Sequence, residues 1–405
     1  MSGINTKYTV TLKVLTPLFI GQGIEKDWVK GIDYIDKDNT LYHLDLSKMQ
    51  EADIDMDKLA RLFSEQNAAG VGQLIGDKLA NVSDFQLSMP CESSNPIRTF
   101  FRNQYTQCPT IPGSSLKGAI RSILFTYIRN TEETKETKET KETKNEEVFG
   151  KLRNGGDFMR FIRVGDFAFP ETGSTQLTNT KIYNLHRGNN EQPWLGGWKH
   201  DTRSTNKEFK DKGFNTICEC ISNDSTAIGS ILLSPTLFNA LLKYNTELEQ
   251  KYKDGKVDQK YYERNRIDIP HKDAKKRLLE EDIKDLCDII NRHTMNYLTK
   301  ELAFFEKFID GTHADTIKEA IDTLLHMFAS LQPNECILKL GAGSGFHSIT
   351  GDWQFDDFVS GGELRRDKDH QNNLPKSRKI AITQKGEKCT FELMGFIKLT
   401  FAKKE

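Results

Sequence analysis

Residues 111–121 read Ile-Pro-Gly-Ser-Ser-Leu-Lys-Gly-Ala-Ile-Arg and bring amide, hydroxyl and cationic groups to one point of the chain. A serine stands where a helix N-cap belongs, just ahead of an apolar stripe of Leu116, Ala119, Ile120, Ile123, Leu124, Tyr127 and Ile128. The spacing predicts one buried face, with Ser114, Lys117 and Arg121 following one another on the opposite, exposed face. The first amides of a helix lack partners and the dipole is positive there, so an anion gains about 0.3–1 kcal/mol before Lys117 and Arg121 add their charge. This chemistry holds a phosphate, with Gly113, Ser114, Ser115, Lys117 and Arg121 as contacts. The same pattern also suits a capped helix whose basic side chains are merely solvated.

A second segment, residues 340–348, reads Leu-Gly-Ala-Gly-Ser-Gly-Phe-His-Ser after a strand-like run. Its alternating glycines permit positive φ angles and close approach of a ligand to backbone. The Gly-Lys-Ser/Thr of a P-loop and the Gly-x-Gly-x-x-Gly of a dinucleotide fold are both missing, which disfavours a small nucleotide. Phe346 and His347 could instead stack on unpaired bases, as recognition of single-stranded RNA requires, although simple packing explains Phe346 as well. The RNA contacts expected here are Gly341, Gly343, Ser344, Gly345, Phe346 and His347, with Arg378 from a basic stretch nearby.

Catalysis has weaker support. His43, His186 and His347 are candidates for moving protons in metal-free RNA cleavage, but spacing pairs none of them with a second base or a lysine. Cys218 and Cys220 would share one strand face with no neighbouring ligand to complete a tetrahedron, and they read as core thiols. Asp352, Asp356 and Asp357 fit a solvated acidic turn as well as a Mg²⁺ site. No catalytic residue, metal or cofactor is predicted.

The elements that must position these groups follow from periodicity. Tyr8, Val10, Leu12 and Val14 alternate with polar residues, the pattern of a strand covered on one face. Residues 31–36 and 41–44 predict a hairpin around Lys37-Asp38-Asn39. Helical patterning spans residues 47–80 and most of 235–331. Further strands are expected at 161–169 and 181–185, with a second hairpin joining 215–221 to 227–232. The end of the chain returns to strands at 336–340, 378–383 and 397–401. Residues 131–147, a Thr-Lys-Glu repeat with no apolar side chain to bury, predict a disordered surface insertion. The expected organisation is an α+β fold: a sheet core over residues 1–234, a helical lobe over 235–331, and a sheet segment over 332–405 that returns to the core.

With 405 residues the chain exceeds a single small core, and it has no apolar run of membrane-spanning length. Its beginning lacks the basic and apolar regions of a signal peptide, and its seven cysteines contain no Cys-x-x-Cys pair. These features predict a cytoplasmic protein with reduced thiols and no membrane partner. The formal charge of −1 is not that of an overall basic nucleic-acid binder, but cations concentrate locally. Residues 111–130 hold Lys117, Arg121 and Arg129 without an acid, and residues 375–388 hold five cations against one Glu.

The ordered set Thr16-Pro-Leu-Phe-Ile-Gly-Gln-Gly, the 111–121 segment, Val164-Gly-Asp-Phe and Leu340-Gly-Ala-Gly-Ser-Gly-Phe-His resembles the RAMP proteins of CRISPR systems. Gly-Phe-His-Ser, Pro375-Lys-Ser-Arg-Lys and Met394-Gly-Phe-Ile-Lys-Leu are similar, within that superfamily, to the fifth subunit of type III-A effector complexes. The resemblance implies a ferredoxin-like or RRM-like core with a helical insertion. It implies a non-catalytic subunit that caps the filament, holds the 3′ part of the guide RNA and contributes to guide maturation and antiviral defence. Guide RNA, target RNA, other effector subunits and cellular nucleases are the partners it brings. A metal-independent guide-processing endoribonuclease and a nucleotide-binding regulatory protein are the alternatives.

Overall fold

The computed structural model describes residues 5–92, 96–132, 145–153, 155–171, 173–187, 194–200, 205–206, 208–210, 213–308, 313–343, 377–385 and 388–404. Its central strand, Thr6–Val14, turns Tyr8, Val10, Leu12 and Val14 into the core, as the alternation requires. It pairs antiparallel with Thr226–Leu233 on one side and with Phe396–Lys403 on the other. Strands Glu335–Lys339 and Ile162–Val164 complete a five-stranded sheet in which every pairing is antiparallel.

A second sheet is built around the long strand Thr175–Arg187, which pairs with Trp194–Lys199, Asn215–Ile221 and Ser377–Lys385. A third joins the expected hairpin, Tyr34–Lys37 with Thr40–Leu44, to Ser83–Ser88. Asp38 and Asn39 make that turn at φ 51° and 58°, the left-handed pair that matches strand twist.

The second expected hairpin does not form. Strands Asn215–Ile221 and Thr226–Leu233 exist, but the first joins the long strand and the second joins Thr6–Val14. The turn between them is pinned to the end of the central strand. Asp224 N donates to Val14 O at 2.8 Å, Val14 N donates to Ser225 O at 2.9 Å, and Lys13 pairs with Asp224 at 2.7 Å. The chain therefore changes sheets at Ser222–Ser225 instead of folding back.

Three short helices, Leu46–Glu51, Met56–Ser64 and Ala68–Ile75, occupy the first helical region. The second contains Pro235–Lys253, Gln259–Asn265, Lys272–Glu280, Ile283–Phe308 and Ala314–Met327. Helix Ile283–Phe308 lies on strand Glu335–Lys339 and on helix Gly113–Glu132. Leu278, Leu279, Ile283, Leu286 and Ile290 enter the same core as Val10 and Leu12, so these helices form a layer over the sheet. The architecture is mixed α and β, with antiparallel sheets and helices packed on them.

Of the 131–147 repeat, residues 133–144 lie outside the described residues. Helix Gly113–Glu132 runs into its start, and Asn145–Phe149 forms a short helix at its end. Residues 145–147 fall in that short helix, whose last two residues, Val148 and Phe149, are fully buried.

Candidate nucleic-acid interface

Helix Gly113–Glu132 buries the predicted stripe, with Leu116, Ile120, Leu124 and Ile128 fully enclosed. Its start differs from the serine cap expected. Ser115 N and Leu116 N donate to Pro112 O at 2.9 and 3.3 Å, which places Ser114 and Ser115 within the first turn. The capping group comes from elsewhere: Gly113 N donates to Asp166 Oδ1 at 2.7 Å. A Cβ at position 113 would collide with the Val164 carbonyl oxygen, so glycine is what lets the helix start seat on the strand Ile162–Val164.

That geometry changes the anion chemistry. The first helix amide is already satisfied by a carboxylate, and a phosphate approaching it meets Asp166, an exposed acid. Attraction must come mainly from side chains. Asp166→Asn preserves a capping oxygen while removing the charge, and it is expected to tighten binding of single-stranded RNA several-fold at low salt. Fluorescence anisotropy checks this, with an unchanged or weaker affinity as the contrary outcome.

Lys117 and Arg121 are half-buried instead of exposed. The Arg121 guanidinium lies 4.4 Å from the Phe149 ring centroid, and its Nη1 is 3.5 Å from Asp157 Oδ2. Asp157 also accepts from Met159 N at 2.9 Å, so its charge is shared between two donors. Partial burial pushes the Lys117 ammonium below the ordinary lysine range; Asp157 opposes that shift, while Arg121 and Arg163 add to it. Arg163 is exposed on the edge strand beside the helix. Lys117 thus feels one acid, Asp157, and two further cations, Arg121 and Arg163. Arg163 was absent from the predicted set, although Ile162 buried on one side of it marks an outward position.

In the second segment, Gly341 and Gly343 take φ 77° and 76°, the conformation glycine permits. Ala342 N donates to Phe19 O at 2.8 Å, and a Cβ on Gly341 would strike that same oxygen. Ser344, Gly345, Phe346 and His347 lie outside the described residues. Loop 16–23 is clasped from a second side by Gly395 N, which donates to Pro17 O at 3.0 Å.

The two segments are joined by a short chain of backbone bonds. Beyond the bond from Ala342, Phe101 N donates to Ile20 O at 2.7 Å and Thr110 N donates to Phe101 O at 2.9 Å. Strand Thr110–Ile111 then leads directly into the helix. Further cations line this path. Arg98 Nε sits 2.8 Å from Asp27 Oδ2, Arg102 pairs with the buried Glu219, and Lys379 Nζ lies 6.0 Å from the Phe19 ring centroid. None of the three was predicted. Only the basic run that includes Lys379 offered a sequence signal, since Arg98 and Arg102 depend on tertiary placement.

Arg378 stands apart from the role expected of it. It is 6% exposed, its Nε donates to Glu301 Oε2 at 2.5 Å, and its guanidinium covers the Phe304 ring at 3.9 Å. Its alternation partner Lys379 faces the loop instead. Beside Arg378, Lys339 Nζ donates to Tyr297 Oη at 2.6 Å and is also buried. Burial lowers the Lys339 ammonium to about 7, with Glu301 opposing and Arg378 reinforcing the shift.

Of the histidine candidates, His347 lies outside the described residues. His43 Nδ1 lies 2.8 Å from Asp84 Oδ1, and its ring stacks on Phe85 at 4.5 Å. His186 lies in strand Thr175–Arg187. Cys218 and Cys220 are both fully buried, and burial raises both thiols above their ordinary range. Asp352, Asp356 and Asp357 lie outside the described residues. No helix among the described residues is long and apolar enough to cross a membrane.

A family model described as the RAMP superfamily matches residues 11–346. Among solved structures, the fold is similar to a chain in the cryo-EM structure of a Csm-crRNA-target RNA ternary complex of a type III-A CRISPR-Cas system. The TM-score is 0.62 at 17% identity, covering 98% of this chain and 100% of that one. It is also similar to the crystal structure of T. onnurineus Csm5, with TM-score 0.52 at 14% identity over 96% of this chain and 99% of that one. No curated protein matches the sequence. At these identities the structural likeness is one of fold.

Proposed function

Since this chain belongs to the RAMP superfamily, we propose that it is a non-catalytic RNA-binding subunit of a type III-A CRISPR ribonucleoprotein, acting in the cytoplasm. The observation that carries this reading is the continuity of the basic helix start with the glycine turn at 341–343 through loop 16–23. Lys117, Arg121 and Arg163 form one wall, and Gly341 and Gly343 with Lys379 form the other. Gly113, Ser114 and Ser115 let backbone approach the first wall, and Ser344, Gly345, Phe346 and His347, which follow Gly343 in sequence, are proposed as further RNA contacts. Such a surface reads phosphate charge and base planes with little sequence preference.

By this reading the five-stranded sheet with its helices is the ferredoxin-like core. The subunit caps the filament of related subunits, holds the 3′ part of the guide RNA near the target RNA, and aids guide maturation, with cellular nucleases as recruited partners. The similarity in fold to Csm5 over nearly the whole of both chains supports the subunit assignment.

Binding of labelled single-stranded RNA to the full chain across a salt series tests the site. Lys117→Ala, Arg121→Ala and Arg163→Ala are each expected to weaken affinity across sequences and to reduce the salt slope by about one. Arg163→Ala is the cleanest, because Arg121 also packs on Phe149. A slope unchanged in all three would refute phosphate contact by this wall.

A further inference from the structure

The first wall has a continuation. Helix Pro235–Lys253 is rooted beside it: Ser234 N donates to Phe161 O at 3.0 Å, two residues before Arg163, and Phe238 packs edge-on against Phe158 and Phe161. From that root the helix carries the chain about 26 Å to Tyr252. Helix Gln259–Asn265 returns along it. Asn245 ties the pair together, its Nδ2 donating to Ile267 O at 2.7 Å and its Oδ1 accepting from Ile267 N at 3.1 Å.

This helix pair carries rings and positive charge together. Three of the four exposed tyrosines among the described residues, Tyr244, Tyr252 and Tyr261, stand on it. Tyr252 stacks on Tyr262, with centroids 4.8 Å apart and planes 14° apart, and remains 38% exposed. One face of its ring is filled, and the other can take a further flat group. Residues 251–272 hold seven cations against four acids, in a chain whose formal charge is −1. Acids of this stretch are engaged locally: Asp258 accepts from Tyr261 N at 2.7 Å, Asp254 pairs with Lys256 at 3.0 Å, and Glu263 accepts from Gln259 Nε2 at 2.8 Å. Arg266 lies 5.9 Å from the Tyr262 ring centroid. Lys253, Arg266 and Lys272 all draw the Glu249 carboxyl below its ordinary range, so that one acid feels three cations.

We infer that the Tyr252–Tyr262 stack, flanked by Arg266 and Lys272, holds an unpaired stretch of the RNA that passes the first wall. This deepens the RNA-binding reading above and rests on it. Rings flanked by cations suit a single strand, whose bases pile on aromatic faces while its phosphates meet the charge; a duplex keeps its bases inside. An acidic peptide would satisfy the cations alone and leave the open ring face unused. At about 3.4 Å per stacked nucleotide, the path from the first wall to Tyr252 takes roughly eight nucleotides.

Photo-crosslinking of iodouridine-labelled oligouridine to the full chain, with mass spectrometry of the adducts, locates the contact. A strand of about twenty nucleotides, long enough to span both areas, is expected to form adducts within residues 244–272. Tyr252→Ala should weaken binding of that strand roughly ten-fold, the loss of one stacked base, whereas Tyr252→Phe keeps the ring and should bind as the wild type does. Arg266→Ala with Lys272→Ala should lower the salt slope by about one. Adducts confined to other segments, or equal affinity of the wild type and Tyr252→Ala, would overturn the inference and leave this face to a protein. If Tyr252→Ala fails to fold, the wild-type adducts decide alone. Arg163→Ala separates the two readings: a loss of affinity there with none in Tyr252→Ala retires this inference only, and the reverse pattern retires the first wall only.

Discussion

Glu301→Ala should destabilise the fold by about 3–5 kcal/mol, read from the midpoint of urea unfolding. Glu301 is 1% exposed, and its removal leaves the Arg378 guanidinium enclosed against Phe304 without its 2.5 Å partner. Most of that cost comes from abandoning a buried charge, so the double variant Glu301→Met, Arg378→Met should recover much of it. A loss below about 1 kcal/mol in the single variant would mean that water reaches the guanidinium. RNA binding by the double variant should persist once stability is restored, because Arg378 faces the interior instead of the loop side occupied by Lys379.

Lys339→Met should stabilise the protein, and the gain should depend on pH. The folded ammonium titrates at about 7 against an ordinary value of 10.5. Below pH 7 the lysine is charged in both folded and unfolded states, and the folded protein carries the full burden of a buried charge. Between pH 7 and 10.5 the unfolded chain holds a proton that the folded chain has released, so wild-type stability rises with pH. From pH 7 to 8.5 the wild type should gain about 2 kcal/mol relative to the variant. Melting curves of the pair across that window provide the check. Differences that stay parallel would show that Lys339 keeps its ordinary titration. Glu392, which burial raises to about 7, contributes in the opposite sense below this window, and comparison with the variant cancels it.

The parts of the fold that were legible share a local cause. The alternation of Tyr8 to Val14, the Asp38-Asn39 turn and the stripe of the 113–132 helix each encode burial within a few residues of sequence. The false hairpin shows the limit. Residues 215–221 and 226–233 both alternate and are separated by turn residues, but their partners lie on different strands, and that choice is made by Val14 and Lys13 far upstream. The site divides similarly. Periodicity located Lys117 and Arg121 on the helix, but it could not foresee Phe149 beneath Arg121 or Asp166 at the helix start, because both come from separate segments. Arg378 was misplaced for the same reason. A basic run reveals charge, whereas the inward or outward turn of each residue follows from the sheet that receives it.

The position of the first strand sets the order in which the protein can be made. Tyr8 has Ile231 on one flank and Lys403 on the other, so the strand synthesised first is closed by the strand synthesised last. At roughly 5–20 residues per second, a ribosome needs some tens of seconds to supply the second flank. For that interval an apolar strand keeps an open edge of the kind that templates aggregation. Yield in the cell is therefore expected to depend on the speed of completion as well as on the stability of the finished fold.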